Sequence, residues 1–299
     1  MHITIAPAST HTGRATIRLL LADPSNPSIR GVYRNLAKVP DEFKSHPRFE
    51  AVQGDIEDVS SLHFGGSDAV LNIQPAIYED KDTVAHAKTV SGNIKTAVQA
   101  AASVKRLVLV SSEGAQYDHG VGEILTNHAA EIVLQDAAPE VVFVRCAYFM
   151  ENWAASIETI QEASFFFSTL TPLDFKLPHI ATQDIGQACA TELLSTGAPL
   201  KSNPYIFDLE GPQPYSALDV KRAFEEVVGK ELEVRPVEKE GLLDFWSSVF
   251  PPEVAKRFTE LNLSFLPGGI LYENSKPTGE TRYGKTELAE VLKQLLGRQ

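Results

Sequence analysis

The stretch HITIAPASTHTGRA, residues 2–15, places an apolar run before a polar turn and the start of a helical pattern. In a dinucleotide-binding βα unit, such a turn sets backbone N–H groups and a helix N-terminus against the pyrophosphate, and glycines let the backbone approach closely. Against the spacing G-x-x-G-x-x-G, Pro7 and Thr10 occupy the first two glycine positions and Gly13 keeps the third. Proline has no N–H to donate, whereas every residue from Ala8 onward keeps its own. Two interpretations stay open: a phosphate-binding turn rich in hydroxyl groups, or an ordinary polar connection.

Beyond this turn, the first half of the chain alternates β-rich runs with longer helical patterns. The β-rich runs occupy residues 2–6, 29–34, 49–55, 68–73, 106–112 and 140–146. Helical patterns occupy residues 14–22, 81–102 and 123–137. Most of the runs are apolar without strict alternation, which is typical of a parallel sheet buried on both faces and connected by right-handed helical crossovers. The order predicts an α/β fold, a doubly wound parallel-sheet Rossmann domain.

The second half is less regular and predicts a small α+β C-terminal lobe. Residues 165–194 mix short strands with a helix that begins near Asp184 as its N-cap. Residues 203–237 fit a strand, a turn, an amphipathic helix ended by Gly229, and another strand. We expect this lobe to lie over the ligand-binding edge of the sheet.

The last part of the chain is predicted as a helix at residues 241–261 followed by a loop at residues 262–277. Within that loop LSFLPGGILYEN, with two glycines between apolar groups, is typical of a mobile flap or an oligomer contact. We assign residues 1–152 to the NADP-binding domain, and residues 153–299 to the remaining Rossmann elements and a substrate-binding lobe.

Composition and charge exclude several classes of protein. The chain has 299 residues, 43% of them hydrophobic, and a formal net charge of −12, which argues against a surface for nucleic acid or anionic lipid. No apolar run approaches the roughly 20 residues that span a bilayer, and no signal peptide is recognisable at the start, so we predict a cytoplasmic protein. Cys146 and Cys189 lie far apart in apolar segments, which indicates buried thiols and no metal site.

A cation follows the second predicted strand. The run VYRNLAK places Arg34 there, with no carboxylate before Asp41. An acidic residue at this point binds the ribose hydroxyls of NAD, whereas a basic one accommodates the 2′-phosphate of NADP. A guanidinium suits phosphate geometry, so the sequence favours NADP(H) over the alternative, a solvated surface cation.

Two later strand ends offer further cofactor contacts. After the third strand, Asp55 and Ile56 are placed to bracket an adenine edge, although Asp55 serves equally well as a turn cap. After the fourth, the run NIQPA contains Pro75, which ends the strand beside the predicted cofactor ribose.

Six segments in this order and spacing resemble the NmrA-like proteins, an atypical branch of the short-chain dehydrogenase/reductase superfamily. They are VYRN, QGDIEDVSSL, VKRLVLVSS, RCAYFMENW, ATQDIGQACA and DLEGPQPYS. The resemblance covers nearly the whole chain. It implies a Rossmann fold with a substrate lobe and bound NADP(H), in a family that contains both NADPH-using reductases and redox-sensing regulators.

The resemblance also implies roles for individual residues. It implies that the pyrophosphate is held by Ser9, Thr10, His11, Thr12 and Gly13, the 2′-phosphate by Arg34, the ribose by Ile73, Gln74 and Pro75, and the nicotinamide side by Ser111, Ser112, Tyr148 and Phe149.

The tyrosine and lysine that typical short-chain dehydrogenases use for proton transfer are absent. That lysine follows the tyrosine by four residues on one helix face. Aligned with the family segment, Ala129 occupies the lysine position and Leu125 lies four residues earlier. The remaining possibilities are a different acid, a substrate activated without an acid, or no redox reaction.

Candidate acids flank the end of the fifth strand. They are Tyr117 and His119 in SEGAQYDHG, and His128 beside the missing lysine, since a histidine titrates near neutrality. Glu113 is placed to orient either one. Tyr148, at a strand's carboxyl end, is the best candidate to touch both cofactor and substrate.

The substrate pocket is predicted from Glu113, Asn152 and Trp153, with further aromatic residues that are equally explained as core. These are residues 165–167, Trp246, Phe250 and Phe265, together with Leu266. Such a lining suits an apolar molecule.

Three functions stay open at this point. The first is an NADPH-dependent reductase of a small apolar conjugated carbonyl, enone or imine, of the kind that acts in secondary metabolism. The second is a non-catalytic NADP(H) sensor that acts through a regulatory protein partner, and the third is a non-redox isomerase or cyclase. If the protein is an enzyme, we expect a small-molecule substrate. A homodimer is one option for its assembly, and we expect no nucleic acid or membrane partner.

Overall fold

Thirteen strands and eleven α-helices build the chain in the computed structural model, which describes residues 1–79, 81–274 and 279–297. The strands are β1 His2–Ala6, β2 Ser28–Tyr33, β3 Phe49–Gln53, β4 Ala69–Ile73, β5 Arg106–Ser112, β6 Glu140–Cys146, β7 Tyr148–Phe149, β8 Phe165–Ser168, β9 Leu177–Ile180, β10 Tyr205–Glu210, β11 Pro214–Tyr215, β12 Glu233–Pro236 and β13 Glu280–Tyr283. The helices are α1 His11–Ala22, α2 Asp41–Lys44, α3 Thr83–Ala100, α4 Leu125–Leu134, α5 Ile157–Ala163, α6 Thr182–Leu194, α7 Ala217–Val228, α8 Leu242–Ser247, α9 Pro252–Phe265, α10 Ile270–Glu273 and α11 Leu288–Leu295.

An eight-stranded parallel sheet forms the centre, in the order β13-β10-β6-β5-β4-β1-β2-β3. Ile3 of β1 lies opposite Ile29 of β2 on one side and Ala69 of β4 on the other. The strand order therefore reverses between β1 and β4: β2 and β3 lie on one side of β1, and β4, β5 and β6 lie on the other. A crevice opens at this point, at the carboxyl ends of β1 and β4. The doubly wound Rossmann prediction is confirmed.

Helices cover both faces of this sheet, as the unbroken apolar strands require. On one face, α1 and α6 bury Ile17, Leu20 and Ile185 against the strands. On the other, α3 and α4 bury Ile94 and Leu134. At about 25 cal/mol per Å² of apolar surface removed from water, these two layers are the main stabilisation of the domain.

Helices α1 and α6 approach each other closely at a glycine. A Cβ on Gly186 would lie 2.9 Å from the Ala15 Cβ and 3.0 Å from the Thr16 backbone nitrogen. Only glycine lets the backbones come this near. The contact fixes the N-terminal half of α1, which begins at the polar turn.

The rest of the chain forms a lobe with its own apolar core. Two small sheets, β11-β9-β7 and β12-β8, join α5, α7, α8, α9 and α11 around Trp153, Phe166, Phe224 and Leu266. Strands β10 and β13 return from this part of the chain to complete the central sheet. Among the described helices, none is long and apolar enough to cross a membrane.

Several boundary predictions need correction. Gly229 ends α7 in the left-handed conformation, as expected. The N-cap of α6 is Ala181, however, so the cap prediction for Asp184 is wrong. The Asp184 carboxylate instead accepts hydrogen bonds from the Lys285 N–H and from the N–H and hydroxyl of Thr286.

The predicted helix at residues 241–261 is interrupted. Pro251 and Pro252 separate α8 from α9, because proline cannot donate to a continuing helix. The predicted loop that follows is wrong at residues 262–265, which belong to α9, and at residues 270–273, which form α10; residues 275–277 lie outside the described chain. Within LSFLPGGILYEN, Leu266 is fully buried in the lobe core while Leu263 and Tyr272 are exposed, and a role as flap or oligomer contact stays a prediction.

Candidate functional site

The polar turn lies between β1 and α1, at the carboxyl edge of the sheet. Thr10 is the N-cap of α1, and its hydroxyl accepts a hydrogen bond from the Gly13 N–H at 2.9 Å. The Ala8 N–H donates to the Val32 carbonyl oxygen at 2.9 Å. Two of the donors that the sequence offered to phosphate are therefore used within the protein.

The remaining donors of the turn fit an anion. Ser9 and His11 are exposed, and within the described chain the N–H groups of His11 and Thr12, the first two of α1, have no partner. Unsatisfied N–H groups at a helix start point outward along the axis and carry its positive end. This geometry suits a pyrophosphate, although the turn contains a single glycine.

Gly13 is needed for space and not for an unusual backbone conformation. Gly13 is not among the described glycines with a positive φ. A Cβ on Gly13 would lie 2.9 Å from the Thr10 Oγ1 and 3.2 Å from the carbonyl oxygens of Pro7 and Ala8. The turn therefore tolerates Pro7 and Thr10 at the other glycine positions while requiring glycine at residue 13.

Arg34 follows β2 directly and is exposed, with no ion pair or hydrogen bond to the described residues. The acidic residues nearest in sequence are engaged with other cations. Asp41 pairs with Lys44, and Glu42 pairs with both Arg14 and Arg18 at 2.8 Å. The Arg34 guanidinium is thus free for a phosphate.

The strand ends of β3 and β4 are held by local hydrogen bonds. Asp55 accepts from the Glu57 N–H at 3.0 Å, which is the turn cap considered above, and Ile56 is buried with its carbonyl oxygen bonded to Asn93. Gln74 donates to Asn72 and Ser91, so its amide is fixed beside the buried Ile73. Pro75 is exposed. These residues border the crevice, and their contacts with a cofactor stay a prediction.

A buried ion pair lies under the ends of β5 and β6. Arg145 contacts Glu131 of α4 at 2.6 Å, and Ser111 donates to the same carboxylate at 2.6 Å. The Ser111 hydroxyl is therefore directed into the protein, which leaves Ser112 as the more accessible of the two serines. The sequence analysis did not predict this ion pair. The feature that could have revealed it is the ionisable residue inside each of two apolar runs, AAEIVL and VVFVRC.

The loop after β5 contains buried polar atoms that lack partners. Glu113 is half-buried, and its Oε1 atom, like the Oε1 atom of Gln116, is buried without a hydrogen-bond partner in the described chain. Burial, followed by the carboxylates of Glu210 and Asp208, raises the pKa of Glu113 well above its ordinary value. This carboxyl is thus favoured in its neutral form.

Helix α4 offers no tyrosine–lysine pair, because Ala129 is buried and Leu125 is a half-buried apolar residue. The His128 Nδ1 lies 2.8 Å from the Ala115 carbonyl oxygen, so Nδ1 bears the proton and fixes the loop. Tyr117 packs against the small apolar cluster around Val121.

Tyr148 and Phe149 form the short strand that follows β6. The Tyr148 ring contacts His179, Trp153 and Phe265 at centroid distances of 5.0, 6.2 and 6.3 Å. Burial raises the pKa of Tyr148 to about 12, while the Asn152 amide hydrogen-bonds to its hydroxyl and opposes that rise. The structure therefore brings together Tyr148, Asn152 and Trp153.

Trp153 belongs to the core of the lobe. Its Nε1 donates to the His179 Nε2 at 3.2 Å, while His179 Nδ1 donates to the Leu177 carbonyl oxygen at 2.7 Å. Burial lowers the pKa of His179 to about 4, so this histidine is neutral. Sequence reasoning missed His179, which supports the wall behind Tyr148.

The lobe covers the loop after β5 from above. A Cβ on Gly114 would lie 3.0 Å from the Leu271 side chain, and one on Gly122 would lie 2.1 Å from the Arg257 carbonyl oxygen. On the other side of the crevice, Tyr78 stacks on Phe250 with ring centroids 5.3 Å apart. Aromatic residues of the lobe therefore reach across to the loop after β4.

Comparisons with known proteins agree with this architecture. A family model for NAD(P)H-binding proteins matches residues 8–196. No curated protein matches the chain.

Several solved structures share the fold at low sequence identity. The NADPH-dependent quinone oxidoreductase of Escherichia coli complexed with NADPH has a TM-score of 0.70 and 19% identity, over 99% of this chain and 100% of that chain. The triphenylmethane reductase of Citrobacter sp. complexed with NADP(H) has a TM-score of 0.71 and 18% identity, over 99% and 100%. NmrA, a negative transcriptional regulator, has a TM-score of 0.67 and 13% identity, over 99% and 91%.

The resemblance to the NmrA-like proteins is thus confirmed at the level of the fold. Since the family model covers more than half of the 299 residues and includes the turn, α1 and the strand ends described above, the chain belongs to the NAD(P)H-binding family.

Proposed function

We propose that this protein is an NADPH-dependent reductase of a small apolar conjugated carbonyl, enone or imine. The observation that supports this best is the aromatic wall at the end of β6, where Tyr148 packs on Trp153, His179 and Phe265 beside the crevice of the sheet. A wall of this kind binds a flat conjugated molecule through stacking and edge contacts. The solved reductases with the same fold are consistent with it.

The preference for NADPH rests on Arg34. Its exposed guanidinium stands at the end of β2 without an acidic partner in the described chain. A charge-assisted contact to a 2′-phosphate is lost when the ligand is NADH. The N–H groups of Ser9, His11 and Thr12 bind the pyrophosphate of either cofactor.

The residues of this chain bind, orient and shield the reactants. When bound, the reduced nicotinamide supplies a hydride. The N-terminus of α1 and Arg34 fix the far end of the dinucleotide, while Tyr148 and Phe149 form the surface against which the substrate ring lies. The lobe, through Leu271 over Gly114, excludes water from the loop after β5.

Binding by isothermal titration tests the cofactor assignment. We expect Arg34→Ala to weaken NADPH binding by about 1.5–3 kcal/mol, with little change for NADH. Arg222→Ala, an exposed arginine on α7, is the control and should leave both affinities unchanged. Equal and weak binding of NADPH and NADH by the wild type would contradict the assignment.

Turnover is tested by following NADPH oxidation with a set of enones, quinones and imines. Oxidation that depends on both protein and acceptor is expected for at least one class. Absence of oxidation with every class would overturn the reductase proposal.

A sensor function is the second candidate, and the make-up of α4 favours it. Leu125 and Ala129 leave this helix without a tyrosine–lysine pair, and the same fold occurs in the regulator NmrA. A pull-down with and without NADP(H) distinguishes this function, since a sensor retains a protein partner in only one of the two conditions.

A further inference from the structure

Glu113 is the first residue after β5, at the edge where the parallel strands end. Its backbone N–H donates to the carbonyl oxygen of Cys146, the last residue of β6, at 3.0 Å. Gly114 then adopts a φ of +91°, which turns the chain away from the sheet. The Glu113 backbone is therefore fixed between two strand ends, where open α/β sheets bind their ligands.

The Oε1 atom of the half-buried Glu113 carboxyl is enclosed by the protein without a hydrogen-bond partner in the described chain. It shares this property with the Oε1 atom of Gln116 in the same loop. A buried polar atom without a hydrogen bond costs free energy, and such atoms are rare in folded proteins. Two of them in one short loop point to a polar group of a ligand that binds there.

The charges that act on this carboxyl are negative. They belong to Glu210 and Asp208, which lie on β10, the strand next to β6. A carboxylate here would be repelled by the two acidic residues and poorly solvated. Burial and these two carboxylates raise the pKa of Glu113 well above its ordinary value, which favours the neutral carboxyl, and a neutral carboxyl is a hydrogen-bond donor.

Nearby groups are less suited to give up a proton. The Nδ1 proton of His128 is engaged with the Ala115 carbonyl oxygen. Burial among the aromatic residues of the lobe raises the pKa of Tyr148 to about 12, so its hydroxyl gives up a proton less readily. Leu125 and Ala129 have no titratable group.

We propose that Glu113, in its protonated form, is the proton donor to the substrate, an inference that rests on the proposed reductase function. In a carbonyl reduction the carbon gains a hydride and the π electron pair moves to the oxygen. The O–H bond of Glu113 breaks, its proton goes to that oxygen, and the bonding pair stays on the carboxylate. A proton from solvent then restores the acid, which repulsion from Glu210 and Asp208 favours.

Two hydride acceptors separate proton donation from the other steps. The first is a neutral aromatic enone, whose reduction needs a proton. The second is a triphenylmethane dye cation, which becomes neutral on accepting a hydride and needs none. We expect Glu113→Gln to lower kcat for the enone by about 10²–10⁴-fold, the usual contribution of a positioned acid. Dye reduction and NADPH affinity should stay within about threefold of the wild type, because only the proton is lost.

A second variant tests the charge environment. Glu210→Gln removes one repelling carboxylate, so the pKa of Glu113 should fall and the alkaline limb of the kcat profile with the enone should move to lower pH. Glu260→Gln, an exposed glutamate on α9, is the matched control and should leave that limb in place. A purely structural role for Glu113 would not move the limb.

The outcomes separate this inference from the function on which it rests. If the wild type reduces neither acceptor, the proposed function fails. Three other outcomes support a reductase in which Glu113 is not the proton donor. In the first, the wild type reduces the dye but not the enone. In the others, Glu113→Gln reduces the enone at the wild-type rate, or loses both activities. Should Glu113→Gln fail to fold, as judged by circular dichroism, the Glu210→Gln profile decides: a shifted limb supports the inference and an unshifted limb overturns it.

Discussion

The hydroxyl of Thr10 accepts a hydrogen bond from the backbone N–H of Gly13 at 2.9 Å and caps α1. Thr10, which occupies a glycine position of the dinucleotide motif, therefore accepts a hydrogen bond from a backbone N–H group of α1. The Gly13 N–H is occupied by this bond, while the N–H groups of His11 and Thr12 are available to a ligand.

Thr10→Val should therefore act mainly on stability. We expect the free energy of unfolding to fall by about 1 kcal/mol, since the side chain fills similar space but cannot accept the Gly13 N–H. Urea denaturation measures this loss. Ser9→Ala, on the exposed residue before the cap, should change stability by less than about 0.5 kcal/mol; a Thr10→Val protein as stable as the wild type would show that the cap contributes nothing.

The buried pair of Arg145 and Glu131 predicts a much larger loss. Arg145→Met leaves the Glu131 carboxylate without its partner, which should cost about 3–5 kcal/mol of unfolding free energy. In the double variant Arg145→Met/Glu131→Leu, the loss should be smaller than the sum of the single losses, because no uncompensated charge remains.

The control for this pair is Lys44→Met, which breaks an exposed pair with Asp41. It should change stability by less than about 1 kcal/mol. Equal losses for Arg145→Met and Lys44→Met in urea denaturation would contradict a structural role for the buried pair.

Glu123 predicts a pH-dependent stability. Burial raises its pKa from 4.5 to about 7, against the opposing effects of the Thr83 hydrogen bond and the Arg257 charge. The folded state therefore holds this proton more tightly than the unfolded state, so its contribution is complete below pH 4.5 and is lost as the pH rises towards 7. The free energy of unfolding should decrease more steeply over this range for the wild type than for Glu123→Gln.

Unfolding in urea at a series of pH values measures that difference in slope. Glu113 contributes in the same direction in both proteins, so the comparison isolates Glu123. Glu260→Gln should follow the wild-type curve. Parallel curves for the wild type and Glu123→Gln would mean that Glu123 titrates alike in the folded and unfolded states.

The two thiols should be inert in the folded protein. Cys146 and Cys189 are free and buried, and burial raises the pKa of both well above the usual value. The thiolate is the reactive form, so a disulfide reagent such as DTNB should label both thiols in denaturant and neither in buffer. Rapid labelling of the native protein would contradict their burial.

Much of the Rossmann domain could be predicted from local patterns. The boundaries of β1, β5 and β6 agree with the apolar runs HITIA, RLVLVSS and EVVFVRC. Runs rich in Val, Ile and Leu favour extended backbone that is buried on both faces, whatever follows later in the chain. Gly229 was predictable for the same reason, because a left-handed helix end is a local requirement.

Side-chain partners were less predictable. Asp184 has the sequence features of a helix cap, yet its carboxylate binds Lys285 and Thr286, which lie about a hundred residues away in the chain. The Ser111 hydroxyl donates to Glu131, a contact that the sequence did not indicate, and its predicted contact with the cofactor stays a prediction. In each case a distant segment competes for the same polar group, and sequence spacing does not reveal which contact wins.

The sequence by itself determined the parallel sheet, the turn before α1 and the cation at the end of β2, because each depends on neighbouring residues. Only the tertiary structure decided that Ser111 donates to Glu131, that Asp184 binds the segment of Lys285 and Thr286, and that the pKa of Glu113 is raised. The last of these depends on β10, which pairs with β6 and brings Glu210 and Asp208 near Glu113 from a distant part of the chain. The pKa of a side chain depends on all the charges and atoms near it in space, and for Glu113 most of those neighbours are distant in sequence.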